Sequence, residues 1–424
     1  MALVILNSPY SFSSAHDDLV YVVNESSLYS STNFKYVCDI YIGGVYIARL
    51  KTFPNPSSHY GIFNIGNIVR NYVDSNLNPT FQMVYVQTLS NIYAKVQCKF
   101  GYEYGVPLVL TTNVTNSGMA SFYNSYNTRL YPPYYSSIGN KSDTFATNRP
   151  VINKAKYPLS ASINSVTNSI MVPYFYITGC STMSESYLKI KLQKKLLNGT
   201  IVSHPEILIL NITGYPDGNM YQLDVSPGAI NFQSQNAALG IFIDSNVQSY
   251  YVQIVYNNDG CDPEISSGIL QFDMYCEPRY ETFNLIWLNQ YGGYDSFEFS
   301  KVSRRGYDIN KKTFKKLGYK ISSAGVYQKW TGSTKTDDVV TYSSQFKERI
   351  LLNSDLINEA TYAWLAELIL SPSVYLQSNS GIQTFLIPVT IKDTTYDFKK
   401  LNTDRNFNFS LNIEYGDILN TQYR

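Results

Sequence analysis

The stretch FNLIWLNQYGGYDSFEFS, residues 283–300, predicts a β-hairpin that opens a C-terminal domain. Its first half alternates side chains between two faces through Trp287, and both faces carry apolar residues, as in a strand covered on both sides. Gly292-Gly293 supplies residues that tolerate the positive φ of a tight turn, and an aromatic-rich return strand follows. The chain before this hairpin is rich in β-forming residues, whereas the chain after it becomes basic and then helical. We therefore place a domain boundary near residue 281.

The composition indicates a multidomain protein with large, weakly charged surfaces. A chain of 424 residues is long enough for two to four domains. Charged residues make up 15% of it, below the roughly 25% of average domains, while tyrosine is abundant at 39 residues. Tyrosine-rich, charge-poor surfaces are typical of protein–protein interfaces. The net charge of +1 provides no overall attraction to nucleic acid or to an anionic membrane.

The sequence patterns that would indicate export, a membrane span, disulfides or a zinc site are weak. The first residues lack the basic and apolar regions of a signal peptide, and no apolar run reaches the roughly 18 residues of a membrane span. We therefore expect synthesis in a cytosol without signal-directed export and without membrane association. The five cysteines are scattered and lack CxxC spacing, so we expect buried or incidental thiols, with neither a disulfide framework nor a zinc site.

Strand and turn signals predict a mainly β fold class with several β-sandwich- or barrel-like domains, one C-terminal helix and a long Tyr/Asn-rich arm. The predicted parts are an N-terminal β domain (1–105), an extended arm or insertion (106–160), a β-sandwich-like domain (161–280) and a C-terminal β domain (281–424) with a helix over 358–370. Within these parts, Gly43-Gly44 predicts a two-residue hairpin turn. The pattern also predicts a strand over 239–244 and two separate strands over 339–342 and 348–353.

The sequence contains no recognisable catalytic motif, so we expect no enzyme, no bound metal and no cofactor. The three histidines are isolated, and the HExxH, GxSxG, GxGxxG and P-loop patterns are all absent. Pairs of carboxylates suited to a glycosidase are present in any protein of this size, and sequence alone does not bring them together. An enzyme such as a capsule depolymerase is therefore the least favoured class.

The sharpest charge feature is the segment 301–320, which holds eight Lys/Arg and one Asp. We predict a basic hairpin here, which either presents a solvated face or contacts DNA in a channel or an acidic subunit. The arm is predicted to be ordered either by a neighbouring subunit or by packing on itself. The candidate interaction residues are Lys301, Arg304, Arg305, Lys311, Lys312, Lys315 and Lys316 in the basic segment and Tyr131, Tyr134 and Tyr135 in the arm.

Several stretches at the two ends of the chain resemble virion proteins of tailed phages that infect Bacteroidetes, in particular tail ring or collar proteins of crAss-like podoviruses. The resemblance covers about residues 34–105 and 274–416 and is looser between them. The matching runs are YVCDIYIGGVYIARLKTFPNP (36–56), GIFNIGNIVRNYV (61–73), KFGYEYG (99–105), CEPRYETFNLIWLNQYGGYDSFEFSK (276–301), WLAELILSPSVYL (364–376), LIPVTI (386–391) and FNFSLNIEYG (407–416).

The resemblance implies a structural role in the virion. Copies would assemble side by side into a cyclic homo-oligomer with portal-matched symmetry. This ring would contact other ring, portal, hub or muzzle proteins and extend the channel through which DNA is ejected. The resemblance also implies location in the phage tail after synthesis in the host cytoplasm. The alternative is a fibre-attachment or receptor- and glycan-binding tail protein, for which trimers and aromatic-lined sugar sites would be expected.

Overall fold

The architecture is taken from a computed structural model of the full chain. The residues it describes are 3–10, 12–74, 86–88, 93–124, 156–158, 171–177, 186–211, 219–224, 227, 230–231, 234, 237–258, 265–266, 269–275, 279–289, 294–315, 317, 320–328, 330–331, 334–335, 339–357, 359–380, 383–393 and 408–420. Over these residues the protein is mainly β, with several separate sheets and with helical turns near residues 66–72 and 359–370, which confirms the predicted fold class.

The first part of the chain folds as two sheets that enclose one core. Its elements are β1 (Val4–Asn7), β2 (Phe12–Ser14), β3 (Val20–Asn24), β4 (Lys35–Ile42), β5 (Val45–Thr52), β6 (Gly61–Asn64), α1 (Gly66–Val69), a 3-10 turn (Arg70–Tyr72), β7 (Val86–Thr88), β8 (Tyr93–Tyr104), β9 (Val109–Asn116) and β10 (Ala120–Tyr123). Sheet β1-β3-β6 packs against sheet β2-β10-β8-β4-β5, and β9 extends the second sheet beside β8. The facing strands contribute Tyr21 and Phe100, whose rings lie 5.4 Å apart in the core.

The Gly43-Gly44 turn prediction is confirmed, because the two glycines adopt φ of 58° and 82° between β4 and β5. The predicted start of the arm at residue 106 is wrong. Residues 109–116 and 120–123 are strands of the N-terminal sheet, paired antiparallel with β8. The Asn/Thr-rich sequence of β9 hides its strand pattern, since β9 is exposed on much of both faces. The remainder of the arm lies outside the described residues, apart from the short strand at 156–158.

The central part contributes a seven-stranded and a three-stranded sheet. Its elements are β11 (Lys156–Pro158), β12 (Met171–Ile177), β13 (Ser186–Leu196), β14 (Ile201–Ser203), β15 (Ile207–Asn211), β16 (Asn219–Asp224), β17 (Val247–Asn258), β18 (Ile265–Ser266) and β19 (Leu270–Tyr275). The larger sheet has the order β11-β19-β17-β13-β14, with β15 and β18 paired at its sides, and the smaller is β12-β16-β7. Strand β7 therefore pairs outside the predicted 1–105 domain.

The predicted strand over 239–244 is wrong, and the structure has irregular backbone there. The buried Asn231 side chain accounts for this backbone. Its Oδ1 accepts hydrogen bonds from the N–H groups of Phe242 (3.0 Å) and Ile243 (2.7 Å), and its Nδ2 donates to the Ile243 carbonyl (2.8 Å). These backbone groups are thus satisfied by a side chain in place of a neighbouring strand.

The C-terminal part is built on the predicted hairpin. Its elements are β20 (Phe283–Leu288), β21 (Tyr294–Phe299), β22 (Arg304–Lys315), β23 (Lys320–Ile321), β24 (Tyr327–Gln328), β25 (Trp330–Thr331), β26 (Thr334–Lys335), β27 (Val339–Asn353), α2 (Glu359–Trp364), α3 (Ala366–Leu370), β28 (Val374–Ser380), β29 (Gln383–Ile391), β30 (Ser410–Tyr415) and β31 (Leu419–Asn420). The main sheet has the order β21-β20-β28-β29-β30-β27-β22, with β31 beside β27.

The predicted helix over 358–370 is broken at Leu365 into two short helices, α2 and α3. Together they cover one face of this sheet. Trp287 of β20 lies 5.0 Å from Trp364 of α2, and the Trp364 indole N–H donates to Asp295 Oδ2 at 3.0 Å. The opposite face of β20 is also buried, at Ile286 and Leu288. The prediction that both faces of this strand are covered is therefore confirmed.

Candidate interaction surfaces

The basic segment is one strand of a long antiparallel ribbon, so the prediction of a hairpin within 301–320 is wrong. Strand β22 pairs over its whole length with β27, which is continuous where two strands were predicted. On its other side, β27 pairs with β30 over 349–353 and with β31 at 345–346. In the described part of the chain, residues 339–344 therefore pair with β22 alone. Strand β22 is the edge of the sheet.

An exposed apolar row crosses the inner half of this ribbon. Ile309 pairs with Phe346, which in turn pairs with Leu419, so the three side chains lie side by side on one face. Ile309 is 59% exposed and Leu419 43%. Four residues further along β27, the buried Ile350 lies on the same face as Phe346. The face of the sheet that packs on the C-terminal core therefore extends past the edge of that core. We call Ile309, Phe346 and Leu419 the C-terminal apolar row.

The basic side chains near the base of the ribbon are balanced by carboxylates. Each ion pair brings a Lys or Arg nitrogen to within 3.4 Å of a carboxylate oxygen. The pairs are Arg305–Glu281 (2.7 Å), Lys347–Glu414 (3.0 Å), Lys301–Asp355 (3.3 Å) and Arg349–Asp308 (3.4 Å). Two of the predicted interaction residues, Lys301 and Arg305, are therefore locally neutralised.

The outer end of the ribbon has a different character. Lys311, Lys312 and Lys315 are exposed, and none forms an ion pair with any residue that the structure describes. Beside them, Phe314 and Tyr342 lie with ring centroids 6.0 Å apart, 47% and 45% exposed. Arg304 begins β22 and is also exposed. The other predicted interaction residues, Lys316, Tyr131, Tyr134 and Tyr135, lie outside the described residues.

A second apolar surface, which we call the N-terminal apolar edge, lies where β8 connects to β9. Val106, Leu108, Val109 and Leu110 are 80%, 56%, 52% and 43% exposed. Strand β9 pairs with β8 and with no other strand of the described chain. The sequence did not predict this surface, since the segment was assigned to the arm. The sequence feature that indicates it is the close spacing of four aliphatic residues in a polar stretch.

His204 and Ser234 lie as close together as a catalytic histidine–serine pair, but their surroundings differ from those of an active site. His204 Nε2 lies 2.9 Å from Ser234 Oγ, and His204 Nδ1 lies 2.8 Å from the Pro205 carbonyl. The Ser234 hydroxyl donates to the Gly240 carbonyl at 2.7 Å and is completely buried. A nucleophile must be reachable and activated by its base. This contact therefore stabilises the irregular segment before β17.

Two buried carboxylates of the N-terminal part, Glu103 and Asp39, are paired with cations. Glu103 contacts Lys51 Nζ at 2.5 Å and Lys35 Nζ at 3.6 Å, and the hydrogen bond from Lys51 holds the pKa of Glu103 below its usual value. Asp39 accepts two hydrogen bonds from Arg49, at 2.6 and 2.9 Å. Buried carboxylates paired with cations in this way are suited to structural roles. Among the described residues, no group of three or more His, Cys, Asp or Glu side chains is placed to hold a metal ion.

The described cysteines match the expectation of buried thiols. Cys38 and Cys98 are both free and buried in the N-terminal core. A hydrogen bond with Cys98, together with burial, raises the pKa of the Cys38 thiol far above its ordinary value. Such a thiol is protonated at neutral pH and unreactive. Cys180, Cys261 and Cys276 lie outside the described residues.

Comparison with known proteins gives no family. No protein-family model matches the chain, and no curated protein matches it. Among solved structures, extracellular domains 3–5 of Drosophila OTK align at a TM-score of 0.20 with 8% identity, covering 82% of this chain and 92% of that one. The insect immune protein hemolin aligns at 0.16 with 10% identity, covering 93% and 79%. Similarity at this level establishes neither a shared overall fold nor a function. No described helix is long and apolar enough to cross a membrane.

Proposed function

We propose that this protein is a structural subunit of a phage virion. In this proposal, copies of the chain assemble into a ring or collar of the tail around the channel through which DNA leaves the portal. The phage and tail parts of the proposal are supported by the sequence resemblance at the two ends of the chain. The assembly part is supported by the two exposed apolar surfaces.

The observation that carries the assembly part is that one chain exposes two chemically different apolar surfaces. Contiguous exposed patches of aliphatic and aromatic side chains are often interaction sites. The N-terminal apolar edge is an uncharged rim of aliphatic residues, whereas the C-terminal apolar row is flanked by lysines. A closed ring of identical subunits packed head to tail needs two different complementary surfaces on every subunit. We assign these two surfaces to that contact.

The first test is the mass of the purified protein and of tails isolated from virions, by mass photometry with cryo-EM class averages. Side-by-side copies in a closed ring are expected in one or both samples. A stable free trimer that binds host-cell glycan would overturn the proposal and indicate the fibre or receptor-binding class. The absence of this chain from purified virions would overturn it as well.

A matched pair of variants tests the assigned surface. Ile309→Lys places a charge in the C-terminal apolar row, whereas Ile201→Lys makes the same change at an Ile of equal exposure (60%) on β14, outside both surfaces. Because both side chains are exposed, both variants should fold like the wild type. We expect Ile309→Lys to abolish rings and Ile201→Lys to keep them. Equal assembly of both variants would show that the C-terminal apolar row is not part of the interface.

A further inference from the structure

The outer ribbon, defined as residues 310–315 paired with 339–345, lies beyond the C-terminal apolar row and has a uniform charge. It carries Lys311, Lys312 and Lys315 and no acidic residue. The wider sequence between 309 and 345 contains seven lysines and two aspartates, a net charge of +5 in a chain whose net charge is +1. The rest of the chain is therefore net negative. Positive charge is concentrated in this stretch of the sequence.

We infer that the outer ribbon binds the phosphate backbone of DNA. This inference concerns a ligand of the ribbon and does not depend on ring formation. Its first support is the contrast in ion pairing along β22. Lys301, which precedes the strand, and Arg305 at its base each have a carboxylate partner at 3.3 Å or less. The three outer lysines have no such partner in the described chain, and the stretch 309–345 keeps a net charge of +5 after its two aspartates are counted, which favours binding of a polyanion.

The second support is the distribution of charge over both faces of the ribbon. Successive residues of a strand point to opposite sides, so Lys311 and Lys312 project from opposite faces, and Lys315 projects on the face of Lys311. The major groove of DNA is wide enough to admit a two-stranded β-ribbon and presents phosphates along both of its walls. A ribbon with lysines on both faces can contact both walls together.

The third support is the uncharged side chains between the lysines. Thr313 and Ser343 provide hydroxyl groups on the ribbon, and hydroxyl groups commonly donate to phosphate oxygens. The exposed rings of Phe314 and Tyr342 give the end of the ribbon a partly apolar surface that can lie against sugars or bases. No feature of this pattern selects a base sequence, so the contact is expected to be non-specific.

A protein partner at this site is less favoured on physical grounds. Lysines on an exposed edge strand discourage pairing with another strand, and β22 is such an edge. The ribbons of two neighbouring copies would also repel each other, since each carries the same positive charge. An acidic protein surface is the remaining alternative, and the experiment below distinguishes it.

The test measures binding to a fluorescein-labelled DNA duplex of about 30 base pairs and arbitrary sequence, by fluorescence anisotropy over a salt series. The ribbon variant is K311Q/K312Q/K315Q. Each neutralised phosphate contributes about −0.9 to the slope of log K against log salt. We therefore expect the ribbon variant to lose about 2.7 of the wild-type slope and to bind at least tenfold more weakly at about 100 mM salt.

The control variant K189Q/K301Q/R305Q removes the same total charge from residues that already have carboxylate partners. It should bind DNA nearly as well as the wild type, and thermal melts should show both variants folded. Three outcomes would overturn the inference. They are a wild type that does not bind the duplex at about 50 mM salt, equal losses in the two variants, and competition by poly-glutamate as effective as that by DNA. The last outcome would indicate an acidic protein partner.

Discussion

A single glycine determines how closely β9 approaches β8. Gly101 lies in β8 where the pairing with β9 shifts register, between Phe100 and Tyr102. A Cβ atom at this position would lie 2.1 Å from the Thr111 carbonyl oxygen and 2.9 Å from Thr112 Cα. Carbon–oxygen contacts shorter than about 3 Å are essentially never tolerated. Both obstructing atoms belong to the backbone, so no side-chain rotation relieves the clash.

Replacing Gly101 by alanine should therefore displace β9 by about 1 Å or detach it from β8. Overpacking of this kind costs about 1–3 kcal/mol. We expect the upper half of that range, about 2–3 kcal/mol, because the obstruction is a backbone strand and its ladder hydrogen bonds to β8 are strained as well. Strand β9 carries Val109 and Leu110 of the N-terminal apolar edge. The same substitution should consequently weaken ring assembly.

The assay combines urea unfolding followed by far-UV circular dichroism with hydrogen exchange on peptides covering residues 99–116. Gly118→Ala is the matched control, since a Cβ there meets no atom within 4 Å. Gly101→Ala should lower the free energy of unfolding and accelerate exchange in these peptides, and the control should do neither. The tryptophans, at 287, 330 and 364, report on the C-terminal part, where fluorescence should be unchanged. Identical behaviour of the two variants would refute the reasoning.

Two further substitutions test the buried polar contacts. Because Lys51 lowers the pKa of Glu103, this carboxylate stabilises the fold at pH values above its unfolded pKa near 4.5, and that stabilisation disappears as the pH falls through the lower folded pKa. Glu103→Gln should thus cost about 1–2 kcal/mol at pH 7 in urea titrations and progressively less below about pH 4.5; a pH-independent cost would contradict this account. Trp364→Phe removes the indole donor to the buried Asp295, and we expect a loss of about 2 kcal/mol in the tryptophan-detected transition. A loss below about 0.5 kcal/mol would show that another donor replaces the indole.

Part of the candidate surface was predictable because charge is read directly from sequence. The eight cations in 301–320 identified the basic segment without any structure. Their separate roles were not predictable, since Arg305 is neutralised by Glu281, 24 positions away, whereas Lys311 has no ion-pair partner in the described chain. The hairpin assignment failed for a related reason. A strand of twelve mostly polar residues has no local signal that identifies a partner beginning at residue 339.

The sequence alone determined the β-rich class, the hairpin at 283–300 and the Gly43-Gly44 turn, because alternation and turn chemistry act between residues close together in the chain. It also determined the lack of recognisable catalytic motifs. Tertiary structure decided the assignment of 109–116 to the N-terminal sheet, the ion pairing along the ribbon and the C-terminal apolar row. Ile309, Phe346 and Leu419 come from three strands spread over 110 positions. Their alignment depends on strand register, which is set by packing between distant segments and not by any local pattern.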